Sequence, residues 1–194
     1  MKRIFDIFAS GVGLILLSPI LLFISLWIKL DSKGPVFYRQ VRVGRRNSDF
    51  TIFKFRSMRT GADKGSLITI GGRDPRITHS GYFIRKYKID ELPQLINVFI
   101  GDMSFVGPRP EVRKYVELYT REQMRVLSVR PGITDIASIK YRNENEILGG
   151  VENPGEYYVK VLMPDKLRLN IEYMDRRSFF SDIKIILLTV LGKD

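Results

Sequence analysis

The chain has 194 residues, enough for one compact domain, and carries 32 Lys+Arg against 21 Asp+Glu, a formal net charge of +11. It has no cysteine and a single histidine, His79, which excludes disulfides and thiolate metal sites and disfavours a histidine metal cluster or a Ser-His-Asp relay. Chemistry is left to carboxylates, Lys/Arg, hydroxyls and an oxygen-bound divalent ion. The excess charge calls for an anionic partner, and its distribution narrows the choice. Residues 1–60 hold eleven Lys/Arg and three Asp/Glu, so +8 of the +11 lies in the first third, beside the most apolar stretch. Basic charge flanking apolar sequence points to a bilayer more than to a polynucleotide.

From Ile7 to Ile28 no side chain is charged. These 22 residues, as a helix, would run about 33 Å, close to the roughly 30 Å of hydrocarbon in a bilayer. Leu26, Trp27, Ile28 and Lys29 follow where a signal peptide would carry its small-residue cleavage site, which argues against cleavage. Two topologies remain: a single kinked span, and a re-entrant hairpin over residues 1–30. The hairpin is favoured because Lys2 and Arg3 precede the segment and Lys29, Lys33, Arg39, Arg42, Arg45 and Arg46 follow it, and positive charge prefers one side. Ser18 and Pro19 mark the place to turn. Pro19 cannot donate to the carbonyl of Ile15, and the Ser18 hydroxyl can satisfy a freed carbonyl where no water is present.

Residues 31–194 form the second expected unit, a cytosolic-face body. VFYRQVRVG and DFTIFKFRSMRT both alternate, predicting a basic β-hairpin near the membrane surface that turns at Arg45, Arg46, Asn47 and Ser48. Lys54 and Arg56 on its second strand suit lipid headgroups or substrate phosphates. Interleaved aromatic and basic residues also occur in single-strand nucleic-acid binders, but no further feature of such a module follows, and no nucleic-acid partner is expected. Residues Gly61–Ser80 are turn-rich and predict a mobile loop. After them, Asp90 reads as a helix N-cap with Glu91 and Pro93 in the first turn. Leu92, Leu95, Ile96 and Phe99 line one face of that helix, and Gly101 ends it. A rigid VGPRP loop leads to a helix from about Glu111 that stops at Arg130-Pro-Gly. Further helices are expected at Asn153–Tyr173, broken near Pro164, and at Phe179–Leu191, the latter interfacial. The fold class is α+β.

Asp90 and Glu91 are the first candidates for chemistry. An ionised carboxylate can attack phosphorus to give an acyl phosphate, and a second beside it can help hold a divalent ion. Arg109, stiffened between Pro108 and Pro110, loses little entropy on gripping a phosphate. Arg85 and Arg142 are weaker candidates of the same kind, and His79 reads as a polar loop residue. No GxGxxG or Walker-type loop is present. On these features alone, a membrane-surface binding or scaffolding protein whose Asp90 merely caps a helix stays open beside the enzyme.

GPVFYRQVRVG, FKFRSM, KIDELPQLINVFIGDMSFVGPRPE, RPGIT and SFFSDIKIILLTV, with Ser18-Pro19 ahead of them, resemble the bacterial sugar transferase family, the monotopic polyprenyl-phosphate phosphoglycosyl transferases. The likeness runs nearly end to end, and the DELPQ, GDMS and VGPRP combination is highly specific. It implies a re-entrant helix broken at Ser18-Pro19, sited on the cytoplasmic face of the bacterial inner membrane. It implies Asp90 as the nucleophile that takes a sugar phosphate from a UDP-sugar and releases UMP, with Glu91 as its acidic partner and Mg²⁺ associated with the two. Arg85, Arg109 and Arg142 align with arginines around the nucleotide sugar. Polyprenyl (undecaprenyl) phosphate would be the acceptor in a membrane step of glycoconjugate assembly, with anionic headgroups as surroundings and a homo-oligomer compatible with all of this. Many members follow RPGIT with Gly and a tryptophan-containing stretch, where this chain reads DIASIKYRNEN, so the sugar itself is not carried over. The chain resembles a minimal catalytic unit.

Overall fold

The computed structural model describes residues 1–62 and 74–192. Its first element is one long helix, α1 (Lys2–Asp31), apolar and long enough to cross a membrane. Helical structure runs without interruption through Pro19, where a helix-break-helix is expected from sequence. The Ser18 hydroxyl donates to the Ile15 carbonyl at 2.7 Å, the carbonyl that Pro19 leaves without an N–H.

Both ends of α1 are fastened to the same body. At the start, Lys2 Nζ donates to the Val106 carbonyl at 2.8 Å and to Asp182 at 2.5 Å, and the Phe5 ring meets Phe105 and Phe179. At the other end Ile24 and Ile28 pack with Phe55 and Ile84, and Asp31 accepts bonds from the Ser80 amide and hydroxyl. Between the two ends Ile15, Leu16, Ile20, Leu22 and Phe23 stand exposed.

The alternating basic segments form the expected hairpin. Strands β1 (Phe37–Val43) and β2 (Asp49–Phe55) pair antiparallel, with Phe37 opposite Phe55 and Val43 opposite Asp49. Arg46 and Asn47 take positive φ in the intervening turn. Ile52 and Phe55 are buried, and Arg39, paired with Phe53 in the ladder, lies over the Phe53 ring. Of the turn-rich region, residues 63–73 lie outside the described residues, so the expected mobile loop is not addressed there. Beyond it Thr78 caps α2 (His79–Lys86) by accepting the Gly81 amide at 3.0 Å.

Helix α3 (Gln94–Ile100) is followed by Gly101 in the left-handed region, as expected of a helix-ending glycine. Its buried face differs from the expected one. Gln94, Leu95, Asn97 and Val98 are buried, whereas Phe99 is half exposed and lies against α1 at Gly11. The reason is polar: Asn97 Oδ1 accepts the Phe53 amide at 3.0 Å and its Nδ2 donates to Thr51 O at 2.7 Å. A side-chain amide thereby stands in for a third strand along β2.

Two short strands, β3 (Ser104–Val106) and β4 (Gly132–Thr134), pair in parallel. The long helix expected from Glu111 is instead a single turn, α4 (Arg113–Val116), followed by a 3₁₀ segment at Gln123–Ser128. Helices α5 (Ile136–Lys140) and α6 (Glu144–Gly149) follow. The stretch through Pro164 is α7 (Pro154–Tyr157), a π-turn at Tyr158–Leu162, and α8 (Met163–Arg176). The helical path widens there rather than ending, and Pro164 falls in the first turn of α8, where its missing N–H costs little. Helix α9 (Phe179–Leu191) sits where expected, with Ser178 and Ser181 forming a reciprocal cap.

Candidate active site

Asp90 does not cap a helix. It lies in a 3₁₀ turn, Ile89–Glu91, entered through Lys88 at φ 57°, and α3 begins only at Gln94 after Pro93. The turn aims the neighbouring carboxylates into different surroundings. Glu91 is held between two cations: Lys54 Nζ donates to it at 2.8 Å, and Arg109 binds it through both terminal nitrogens, one at 3.3 Å. Asp90 is buried, with 9% of its surface exposed, and its carboxylate accepts no hydrogen bond among the described residues.

These surroundings separate the two acids electrostatically. Burial pushes the Asp90 carboxyl above its ordinary value, against the pull of Lys54. Burial works the same way on Glu91, but Arg109 and Lys54 outweigh it and hold that carboxyl well below the carboxylate range. Lys54 is itself lowered by burial, with Glu91 opposing. Arg109 is raised further by Glu91.

Arg109 owes its position to a tightly built loop. The Gly107 amide donates to the Thr134 carbonyl at 3.1 Å, and a Cβ on Gly107 would fall 2.4 Å from the Arg130 carbonyl, so only glycine fits. The Arg109 amide then donates at 2.7 Å to Asp135, a fully buried carboxylate that also caps α5 through the Ser138 amide and receives Asn170 Nδ2. Asp135 is a supporting residue that the sequence reading missed. Its signal is an aspartate three residues ahead of a serine at a helix start.

Asp90 lines two cavities at once. One, of about 690 Å³, runs along the hairpin from Pro35 to Gln40 and mixes the apolar Val36, Phe37, Phe55 and Met58 with Arg39, Arg59 and Arg85. The other, about 300 Å³, is polar and is lined by Glu91, Arg109, Arg142 and Lys88 among others. Lys54, Arg85 and Asp90 belong to both.

Within the smaller cavity Arg42 pairs with Glu111 at 3.5 Å and Lys166 with Glu144 at 2.8 Å. Arg85, Lys88 and Arg142 have no ion pair or hydrogen-bond partner among the described residues. The structure thus brings Arg85, Arg109, Arg142 and Lys54 together around the acidic pair. Lys88 joins them, a cation that sequence reading passed over because nothing in its spacing marks it.

Arg56 is differently placed. It reaches the larger cavity's wall, but its terminal nitrogens donate to the carbonyls of Lys33 at 2.8 Å, Ser32 at 2.7 Å and Ile28 at 3.3 Å, closing the end of α1. Ser18 and Pro19 lie on exposed α1, and His79 lines neither cavity. For a divalent ion the donor set is small. No group of three or more His, Asp or Glu residues gathers among the described residues, and Glu91 is already claimed by its two cations. What remains is the Asp90 carboxylate, which fits Mg²⁺ in its usual manner of one or two carboxylates completed by water and substrate phosphates.

The bacterial sugar transferase family model matches residues 1–192. The chain belongs to that family. Among its relatives is the uncharacterized sugar transferase EpsL of Bacillus subtilis, 41% identical over 191 residues that cover 98% of this chain and 85% of the relative. The UDP-glucose:undecaprenyl-phosphate glucose-1-phosphate transferase of Klebsiella pneumoniae is 40% identical over 193 residues. That match takes in 97% of this chain and 39% of the relative, so the chain spans about two-fifths of that protein's length. The exopolysaccharide production protein PSS of Rhizobium leguminosarum is 37% identical, with 100% of this chain and 94% of the relative covered. As a family member, the chain is a sugar transferase with a membrane-associated character that agrees with its apolar first helix.

Proposed function

We propose that this sugar transferase moves a sugar 1-phosphate from a UDP-sugar to polyprenyl phosphate, through a covalent intermediate on Asp90. The observation that carries the reading is Asp90 itself: a buried carboxylate that accepts no hydrogen bond among the described residues, at the junction of a polar cavity and an amphipathic one. The polar cavity, with Arg85, Lys88 and Arg142 unpaired, suits the diphosphate of the donor. The larger one, combining apolar walls with arginines beside α1, suits a phosphate carried on a lipid chain.

In the first step an Asp90 carboxylate oxygen attacks the phosphorus bearing the sugar. The bond from that phosphorus to the bridging oxygen breaks, and UMP leaves with the electron pair. In the second step an oxygen of polyprenyl phosphate attacks the same phosphorus, the acyl-phosphate bond breaks, and Asp90 returns as a carboxylate beside a polyprenyl-diphosphate sugar. Glu91 holds Lys54 and Arg109 at the reacting phosphoryl group, where their charge meets the charge that builds on its oxygens. A Mg²⁺ ion held at the Asp90 carboxylate, with substrate phosphates and water completing its shell, would add further neutralisation of those oxygens.

The same reading takes α1 as re-entrant, with both of its ends on the cytoplasmic face of the bacterial inner membrane. It is supported by the fastening of Lys2 and of Asp31 to one body and by the exposed apolar middle between them. Incubating purified protein with labelled UDP-sugars and Mg²⁺, without lipid acceptor, tests the chemistry. A phosphosugar adduct seen by intact mass in the wild type and absent in Asp90→Asn is expected. UMP release only after polyprenyl phosphate is added, with no adduct at any time point, would point to direct transfer instead.

A further inference from the structure

A third cavity, of about 550 Å³, lies between the first turns of α1 and α9, strand β3 and the chain at Ser128–Arg130; it shares no lining residue with the two around Asp90. Five cations and two carboxylates line it. Both carboxylates are engaged: Asp6 accepts the Phe105 amide at 3.3 Å, and Asp182 accepts Lys2 at 2.5 Å and the Tyr173 hydroxyl. Arg3 is engaged too, on the carbonyls of Val98 and Phe99. The other three arginines have donors to spare. Arg45 and Arg130 use only Nε, on Ser128 O at 3.2 Å and Gly101 O at 2.7 Å, and Arg177 has no partner among the described residues.

A second, independent observation points into the same space. Ser104 is 2% exposed and its hydroxyl has no hydrogen-bond partner. Ser104 and Val106 share one face of β3, and both line the cavity, whereas Phe105 on the other face does not. A buried hydroxyl left unbonded among the described residues, in the wall of a cavity lined by three under-used guanidinium groups, adds a further donor suited to an anion. Phe179 adds an apolar wall, meeting Phe5 edge-on at 5.5 Å, and the adjacent Phe180 is 84% exposed.

We propose that this cavity binds a phosphate-ester anion, separately from the catalytic cavities, either as the headgroup of an anionic membrane lipid or as a free phosphate. Arginine forks match the oxygens of a phosphate, and a cavity walled by Phe179 beside the apolar helix α1 suits such a group at headgroup depth. The proposal does not depend on the chemistry assigned to Asp90.

The test is thermal unfolding of the full chain in detergent, titrated with dihexanoyl-phosphatidylglycerol, dihexanoyl-phosphatidylcholine or inorganic phosphate. Phosphatidylglycerol is expected to raise the Tm saturably, with phosphatidylcholine far weaker. Arg45→Gln with Arg177→Gln, both exposed positions, should weaken that apparent affinity by about tenfold or more while stabilisation by UDP survives. Ser104→Ala should leave the ligand-free Tm unchanged or higher and also weaken phosphatidylglycerol, which a purely structural serine would not do. Inorganic phosphate equalling phosphatidylglycerol would make the occupant a free anion; phosphatidylglycerol alone would make it a headgroup. Equal shifts with phosphatidylcholine, or a shift that both variants retain, would overturn the site. Loss of the UDP response with the phosphatidylglycerol response intact would count against the catalytic reading and leave this one standing.

Discussion

Asp90 and Glu91 are adjacent in one 3₁₀ turn, yet Glu91 is gripped by Lys54 and Arg109 while Asp90 accepts no bond. One carboxylate is paired with two cations and its neighbour, among the described residues, is not. Opposite environments for two acids are the physical basis for giving them opposite roles.

The first consequence concerns Asp90→Asn. Burial opposes the ionised Asp90 carboxyl more than Lys54 supports it, so a neutral isostere should not destabilise the fold. Turnover should fall on the order of 10³-fold or more, as for loss of a nucleophile. Steady-state kinetics and a melting curve on the same preparation check both halves. A large drop in Tm would mean that Asp90 is structural.

Glu91→Gln should behave differently, because it leaves Lys54 and Arg109 facing each other with one counter-charge fewer. Removing one partner of a buried ion pair costs roughly 3–5 kcal/mol. With Arg109 about a third exposed, solvent screening reduces that to about 1–3 kcal/mol here. Denaturant unfolding reads this directly, and turnover should fall as well because both cations lose their anchor.

Much of this was legible in the residues. The alternating Phe37–Val43 and Asp49–Phe55 segments announce the hairpin through their β-branched and aromatic residues, and Gly101 and Ser178 behave as their types predict at helix ends. Asp90 looked like an N-cap because local rules favour aspartate before a helix. The actual turn is set by Lys88 in the left-handed region, a conformation that no spacing of side chains announces. Phe99 was placed on the wrong side of α3 because periodicity cannot tell a core from the flank of a membrane helix. Asn97, a polar residue in an apolar run, proved to be the partner of β2. The cavity charges were legible as residue types, but their pairing was not. Only three-dimensional contacts reveal that Arg42 and Lys166 are neutralised while Arg85, Lys88 and Arg142 form no ion pair or hydrogen bond among the described residues.

Those three free cations predict a binding phenotype. Arg142→Gln and Lys88→Gln should each raise the KM for the UDP-sugar by roughly tenfold, the effect of one charge-assisted hydrogen bond, with a smaller change in kcat. Arg42→Gln, already paired with Glu111, should act mainly on stability. Initial-rate kinetics at two salt concentrations separate these effects, since screening weakens the free cations most.

The pH dependence of activity follows from the raised Asp90. The nucleophile must be ionised, so kcat/KM should rise with pH through a value above the ordinary aspartate range. Stability runs the other way: in that window the native state holds a proton that the unfolded chain has lost, so stability falls as pH rises. Lys54 lowers the Asp90 carboxyl and Glu91 raises it. Lys54→Met should therefore move the acidic limb to higher pH and Glu91→Gln should move it lower. A limb that stays fixed in both variants would assign it to another group.

The membrane reading makes the last prediction. Lys2 is bonded to Val106 and Asp182, and Asp31 to Ser80, and on the re-entrant reading proposed above both ends of α1 lie on the side of the membrane that holds the body. A cysteine inserted ahead of Lys2 and one replacing the exposed Lys33 should both resist a membrane-impermeant thiol reagent in intact cells. Both should react in inside-out vesicles. The native chain has no cysteine, so no background labelling competes. Pro19→Ala should favour a straight span, because it restores an N–H for the Ile15 carbonyl and removes a ring that disfavours an ideal helix at that point. A straight span would pull one end of α1 off the body, so the variant should lose stability as the inserted cysteine becomes reactive from outside. Retained protection at both positions in Pro19→Ala would transfer the turn's origin from Pro19 to the contacts that hold the two ends.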